Sequence, residues 1–215
     1  YGFAFQISGV VFSIFTALNT SWVAFFFNDM KAGRRDVVLR QSKNYLELYT
    51  VLACGFILLA PEVYKLLARQ DYWPGIGLIP CMVASFYLNF LCTFPVNYEY
   101  YHKKTKVVAA VTISSSLLNV ALNYVLIKAM GMSGAALATV ISHGVQLTLH
   151  HLYCRSLGKG SYPFPVKVWA NYAAVFALVV GFVYAMEGFW FPRWGVGALL
   201  GIFELLRIKK RKVLI

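Results

Sequence analysis

Residues 103–128 read KKTKVVAAVTISSSLLNVALNYVLIK. Lysines flank the stretch at both ends, and between Val107 and Ile127 there is no Asp, Glu, Lys or Arg. As an α-helix rising about 1.5 Å per residue, that run extends roughly 31 Å, close to the thickness of a bilayer's hydrocarbon core. Peptide groups in hydrocarbon have no water to bond, so a spanning segment must be a helix or a strand of a closed barrel. The run is continuously apolar and lacks the in-out alternation of a barrel strand. It reads as a transmembrane helix.

The same pattern recurs on either side. No Asp, Glu, Lys or Arg occurs in 1–28, 72–98, 129–154 or 168–186, and 44–61 contains only Glu47. The chain is 60% hydrophobic and 13% charged, whereas a soluble domain carries about 25% charged residues. The expected architecture is all-α: a polytopic transmembrane bundle of about seven spans, at 2–28, 44–66, 75–99, 106–127, 132–152, 166–186 and 194–208. Lys31-Ala32-Gly33-Arg34-Arg35 reads as a loop followed by a short interfacial helix. The last span is short and has an alternative start near Phe189-Trp190. Pro61, Pro80 and Pro95 lie in or beside spans, where neighbouring helices can satisfy the groups they disturb, so kinks rather than breaks are expected. No repeat or low-complexity tract interrupts the pattern.

The net charge is +12, but the basic residues lie in short connectors. Lys and Arg number five in 31–43, three in 103–106, three in 155–167 and five in 207–212, against four (Lys65, Arg69, Lys128, Arg193) in the alternate connectors. That asymmetry places the first set, and with it the C-terminus, in the cytoplasm. It also gives the bilayer, and not nucleic acid, as the partner of the charge. The four cysteines have no metal-ligand spacing and read as apolar fillers. The sequence starts at Tyr1 with no signal-peptide pattern and reads as part of something longer.

Polar residues inside the spans fall at helical spacing. Thr112, Ser116, Asn119 and Asn123 share one face of 106–127, and Ser85, Asn89, Thr93 and Asn97 share one face of 75–99. An amide in hydrocarbon is costly unless partnered, so these rows either bond to a neighbouring helix or line a hydrated passage. Gly134, Ala138 and Ser142 form a small-residue row suited to close helix packing, and His143 beside them reads as a packing residue. Glu62 and Lys65 are spaced to pair at the outer surface. Tyr98, Tyr100 and Tyr101 beside Lys103 and Lys104 read as an interfacial aromatic belt. Glu47 and Glu99, near the inner ends of their spans, are either interfacial charges or ion-coupling sites. No phosphate loop, nucleophile elbow, metal motif or cofactor signature occurs, so an enzyme is not expected.

In order along the chain come Thr20-Ser21-Trp22, Leu59-Ala60-Pro61-Glu62-Val63, Tyr72, Glu99-Tyr100-Tyr101 with Lys103-Lys104-Thr105, Asn119 and Asn123, and Gly131-Met132-Ser133-Gly134-Ala135-Ala136-Leu137-Ala138-Thr139. This succession resembles the C-terminal half of bacterial polysaccharide flippases, the O-antigen and capsule repeat-unit transporters, which share a superfamily with multidrug and toxin extruders. Many relatives have a Pro soon after the position of Trp22, where Val23-Ala24 stand here. The resemblance implies two six-helix lobes around a central cavity. Residues 1–155 would then supply five helices of the second lobe, and 156–215 two additional helices with a basic tail. It further implies a missing N-terminal lobe and an undecaprenyl-pyrophosphate-linked oligosaccharide as substrate. It also implies a bacterial inner-membrane location, with the polysaccharide polymerase machinery as a further partner. Under it, Asn89, Asn97, Asn119 and Asn123 are the expected sugar contacts. The alternatives are a cation-coupled drug extruder using Glu47 or Glu99, and a non-transporting assembly protein.

Overall fold

The computed structural model describes residues 1–158, 162–186 and 188–211, with side chains from 204 onward left aside. Among the described residues every regular element is helical: α1 (Gly2–Lys31), α2 (Arg35–Leu67), a 3₁₀ segment (Gln70–Leu78), α3 (Ile79–Tyr101), α4 (Thr105–Met130), α5 (Met132–Gly158), α6 (Val166–Ala185) and α7 (Trp190–Arg211). Five helical stretches, those holding α1, α2, α3, α4 and α6, are long and apolar enough to cross a membrane. On α5 the polar side chains of Ser142, His143, Gln146, Thr148, His150 and His151 dilute the apolar run. The outside of the bundle is as apolar as its inside: Leu66, Leu117, Val120 and Leu178 are among the most exposed side chains. In water such a surface would drive association; against lipid it is the expected one. The chain has the build of a membrane protein.

The expected break before the second span is absent. Arg35–Leu67 is one helix of 33 residues, about 50 Å long and so longer than the hydrocarbon core. Val38 and Ser42 are buried and lie on the same face as Tyr45, Leu46 and Tyr49, so the apolar stripe runs back through the basic stretch while Arg35, Arg40 and Lys43 point outward. The real turn is the three residues Ala32–Arg34. Gly33 takes φ +73° there, and the Arg34 guanidinium holds the buried Asp29 carboxylate at 2.6 Å. Pro61 and Pro95 sit inside continuous helices, so neither breaks its span, whereas Pro80 stands at a helix start and not within the span.

The helices form a row, α1–α3–α5–α4, in which each packs chiefly on its neighbours, with α2 behind α1 and carrying α6 and α7 on its other sides. α6 also reaches α3. The core between α1, α2, α3 and α6 is aromatic. Phe90 of α3 lies 4.1 Å, ring centre to ring centre, from Tyr49, and Tyr87 stacks on Phe176 at 4.2 Å. Phe164, from the connector before α6, folds back between Trp22, Phe26, Phe94 and Trp169 and is fully buried. Offset and edge-to-face rings of this kind contribute beyond simple area burial, which suits a core that cannot draw on water exclusion alone.

The α4–α5 hairpin is held by close backbone approach. Gly131 ends α4 at φ +59°, and a Cβ on Gly134 would run into the Leu126 carbonyl. Ala138 and Ser142, one and two turns on, are buried, so the small-residue row packs as expected. An Ala in place of a helical Gly ordinarily stabilises by about 0.5–1 kcal/mol. Gly134→Ala is expected to do the reverse and lower the unfolding midpoint in detergent by several degrees, while Gly55→Ala, with open space at its Cβ, leaves it unchanged or raises it.

Candidate functional site

The last turn of α3 carries Glu99, whose side chain is fully buried. A carboxylate at a helix C-terminus faces the negative end of the helix dipole, and in an apolar interior it needs a donor. His150 of α5, also fully buried, provides one: its Nδ1 lies 2.9 and 3.0 Å from the two carboxylate oxygens. One turn further along α5, the Cys154 thiol lies 3.3 Å from the Pro95 carbonyl and 3.6 Å from Glu99 Oε1. Pro95 and Glu99 are four apart on α3, and His150 and Cys154 four apart on α5, so two matched helical rungs meet. Glu99 is thus an interior group of the bundle, tying α3 to α5.

Glu47 is likewise interior, accepting a hydrogen bond from the Tyr172 hydroxyl of α6 at 3.1 Å. Glu62 does not pair with Lys65. Its partner is Arg193 of α7, while Lys65 Nζ lies 5.4 Å from the centre of the Trp73 ring. An arginine that is 2% exposed needs a counter-charge, which a lysine at the bundle surface does not. The tyrosine belt is only partly a belt: Tyr100 is exposed, but Tyr98 is buried and Tyr101 donates to the Met30 carbonyl at 3.1 Å. His143 packs as expected, with Nδ1 2.9 Å from the Ser85 carbonyl.

The four asparagines lie two on α3 and two on α4. On α4, Asn123 Nδ2 donates to both the side-chain and main-chain oxygens of Asn119 at 2.9 Å, so this pair is bonded within its own helix. Ser116 does the same, donating to the Thr112 carbonyl at 2.9 Å. On α3, Asn89 is half-buried and Asn97 buried. α4 leans chiefly on α5 and only Val108 and Ser115 of it are buried; of its polar row, Thr112 and Ser116 are exposed and Asn119 and Asn123 half-buried.

A further polar row on α1 escaped the sequence reading. Gln6, Gly9, Ser13, Thr16 and Thr20 step by three and four, and of these only Gly9 is even half-buried. The hydroxyls of Ser13, Thr16 and Thr20 bond back to carbonyls one turn earlier, at 2.9–3.1 Å, which makes the row tolerable where no protein covers it. The signal was present in the heptad spacing, but single hydroxyls among Phe and Val barely lower the hydropathy. His150 and Cys154 were also missed, since neither counts as a charge in a span. Among the described residues no cluster of His, Cys, Asp and Glu is arranged to hold a metal ion. No family model, curated protein or solved structure matches the chain.

Removing the imidazole from a buried carboxylate leaves that carboxylate unpaired, at a cost of about 3–5 kcal/mol when it is charged. His150→Leu is therefore expected to destabilise the protein in detergent by roughly that amount. The double variant Glu99→Leu/His150→Leu is expected to recover most of the loss, read from thermal unfolding midpoints.

Proposed function

We propose that this chain is the C-terminal portion of an alternating-access transporter that moves a lipid-linked oligosaccharide across the bacterial inner membrane. In this reading all seven helices cross or enter the bilayer, the basic connectors and the C-terminus face the cytoplasm, and a preceding lobe completes the cavity. One observation supports it most: the polar row of α1, from Gln6 to Thr20, lies on the uncovered side of the bundle. A helix surrounded by lipid gains nothing from a heptad row of amide and hydroxyl groups. A helix facing water or sugar hydroxyls does.

The substrate class comes from the ordered motifs around Trp22, Pro61, Glu99 and Gly134, not from the packing. Sugar hydroxyls lose water on entering the acyl region, and a wall of amides and hydroxyls replaces those bonds. The asparagines of α4 contribute to such a wall through their remaining hydrogen-bonding capacity, Asn119 and Asn123 acting as one unit. Rocking one lobe against the other would expose that wall to each side in turn.

The buried Glu99–His150 pair favours a second reading within the same class, a cation-coupled extruder of organic cations. Intramembrane ionisable pairs are costly to maintain and are characteristic of ion pathways. Proteoliposomes holding the full-length protein separate the two: movement of lipid-linked oligosaccharide supports the flippase, and movement of organic cations alone supports the extruder. In cells, the triple variant Gln6→Leu/Ser13→Val/Thr16→Val is expected to be expressed at the normal level but to lose surface polysaccharide by tenfold or more. Normal polysaccharide with that variant would mean that the α1 row faces lipid.

A further inference from the structure

The polar atoms around Glu99 form a set larger than the pair itself. His150 Nε2, both ring nitrogens of His151 and the Tyr162 hydroxyl are buried and have no hydrogen-bond partner among the described residues, one another included. Unpaired buried polar atoms are rare in native proteins, and these gather at one end of the α3–α5 seam. The Tyr162 ring lies 5.4 Å from His151 and 5.0 Å from Tyr98. Burial first, then the Cys154 thiol and the Glu99 carboxylate, hold that hydroxyl well above the usual phenol range, so Tyr162 keeps its proton and serves as a neutral donor. Tyr162 and His151 are half-buried as residues, while the hydroxyl and both ring nitrogens are themselves covered.

We infer that the ion handled at Glu99 is a proton, shared with His150 and exchanged with water at the connector before α6 through Tyr162 and His151. This deepens the transporter reading and rests on it for its purpose, though not for its chemistry. In one state neutral His150 donates Nδ1–H to the Glu99 carboxylate and leaves Nε2 as an acceptor; the pair carries one negative charge. Uptake places a proton from water on Nε2, carried by water between the hydroxyl and imidazole groups, which do not bond to one another, and gives an imidazolium–carboxylate pair of zero charge. Release reverses the step, and no redox change is involved. A hard metal cation prefers a shell of oxygens, whereas the neighbours of Glu99 are an imidazole nitrogen and a thiol.

Among the described residues, the other groups on the surrounding elements are aromatic, exposed or already paired. On α3 itself Cys92 and Tyr98 face it. α6 and α1 bring aromatic rings, Trp169 against His151 and Phe26 against Phe164. Lys103 and Lys104, at the α3–α4 turn, and Arg155 on α5 are exposed, and Asp29 is already paired with Arg34.

The test uses the full-length protein in nanodiscs, followed after a pH jump by the infrared carboxylate and imidazole bands, with sodium chloride varied separately. Wild type is expected to show a Glu99-dependent band change that Glu99→Gln abolishes. Tyr162→Phe, which keeps the ring, is expected to slow it at least tenfold with unchanged amplitude. Equal rates in Tyr162→Phe and wild type would overturn the relay. A band change driven by sodium at constant pH would overturn the proton assignment while leaving transport intact. A normal proton response with no substrate movement in proteoliposomes would retain the inference and remove the transporter reading instead.

Discussion

A peptide group surrounded by hydrocarbon has no partner except another peptide group. A chain this poor in charge is therefore committed to helices before any side chain is considered, and its remaining polar groups must find partners inside the bundle or line a wetted surface. Each main feature follows from that constraint. Ser13, Thr16 and Thr20 return their hydroxyls to their own backbone. Asn119 and Asn123 bond to each other. Glu47 takes a tyrosine from α6, Glu62 an arginine from α7 and Glu99 a histidine from α5. Three acidic side chains thus link helices that are distant in sequence, with aromatic rings filling the space between them.

The helices themselves were legible because one signal, the spacing of charges, marks both ends of a span. The Arg35–Lys43 segment was read as a separate interfacial helix for the same reason: its charges set it apart from the span, while Val38 and Ser42 continue the buried face of α2. The 3₁₀ segment Gln70–Leu78 was read in part as the start of α3. It contains Pro74 and Gly75, and Gly75 sits under the Tyr64 hydroxyl, 2.7 Å from where a Cβ would be. That contact is tertiary and leaves no local trace.

The site was less legible than the fold. Helical periodicity says that Asn119 and Asn123 share a face but not what the face meets, and here they meet each other. Glu62 has a lysine three residues away, yet its partner is 131 residues distant, a pairing that proximity along the chain argues against. Glu99 was singled out correctly as an ionisable group in an apolar setting. What sequence alone did not provide was its depth, and depth changes its meaning. At the interface a carboxylate is held by water; inside the α3–α5 seam it is held by the His150 imidazole and the Cys154 thiol.

The central claim is that these helices lie across a bilayer with alternate connectors on opposite sides. Single cysteines placed in a cysteine-free full-length protein in sealed membrane vesicles test it, labelled by an impermeant maleimide. The account predicts that positions 33 and 103 react from one side only, positions 69 and 131 from the other side only, and position 117, exposed on α4, from neither. Labelling of 33 and 69 from the same side, or of 117 from water, would contradict it.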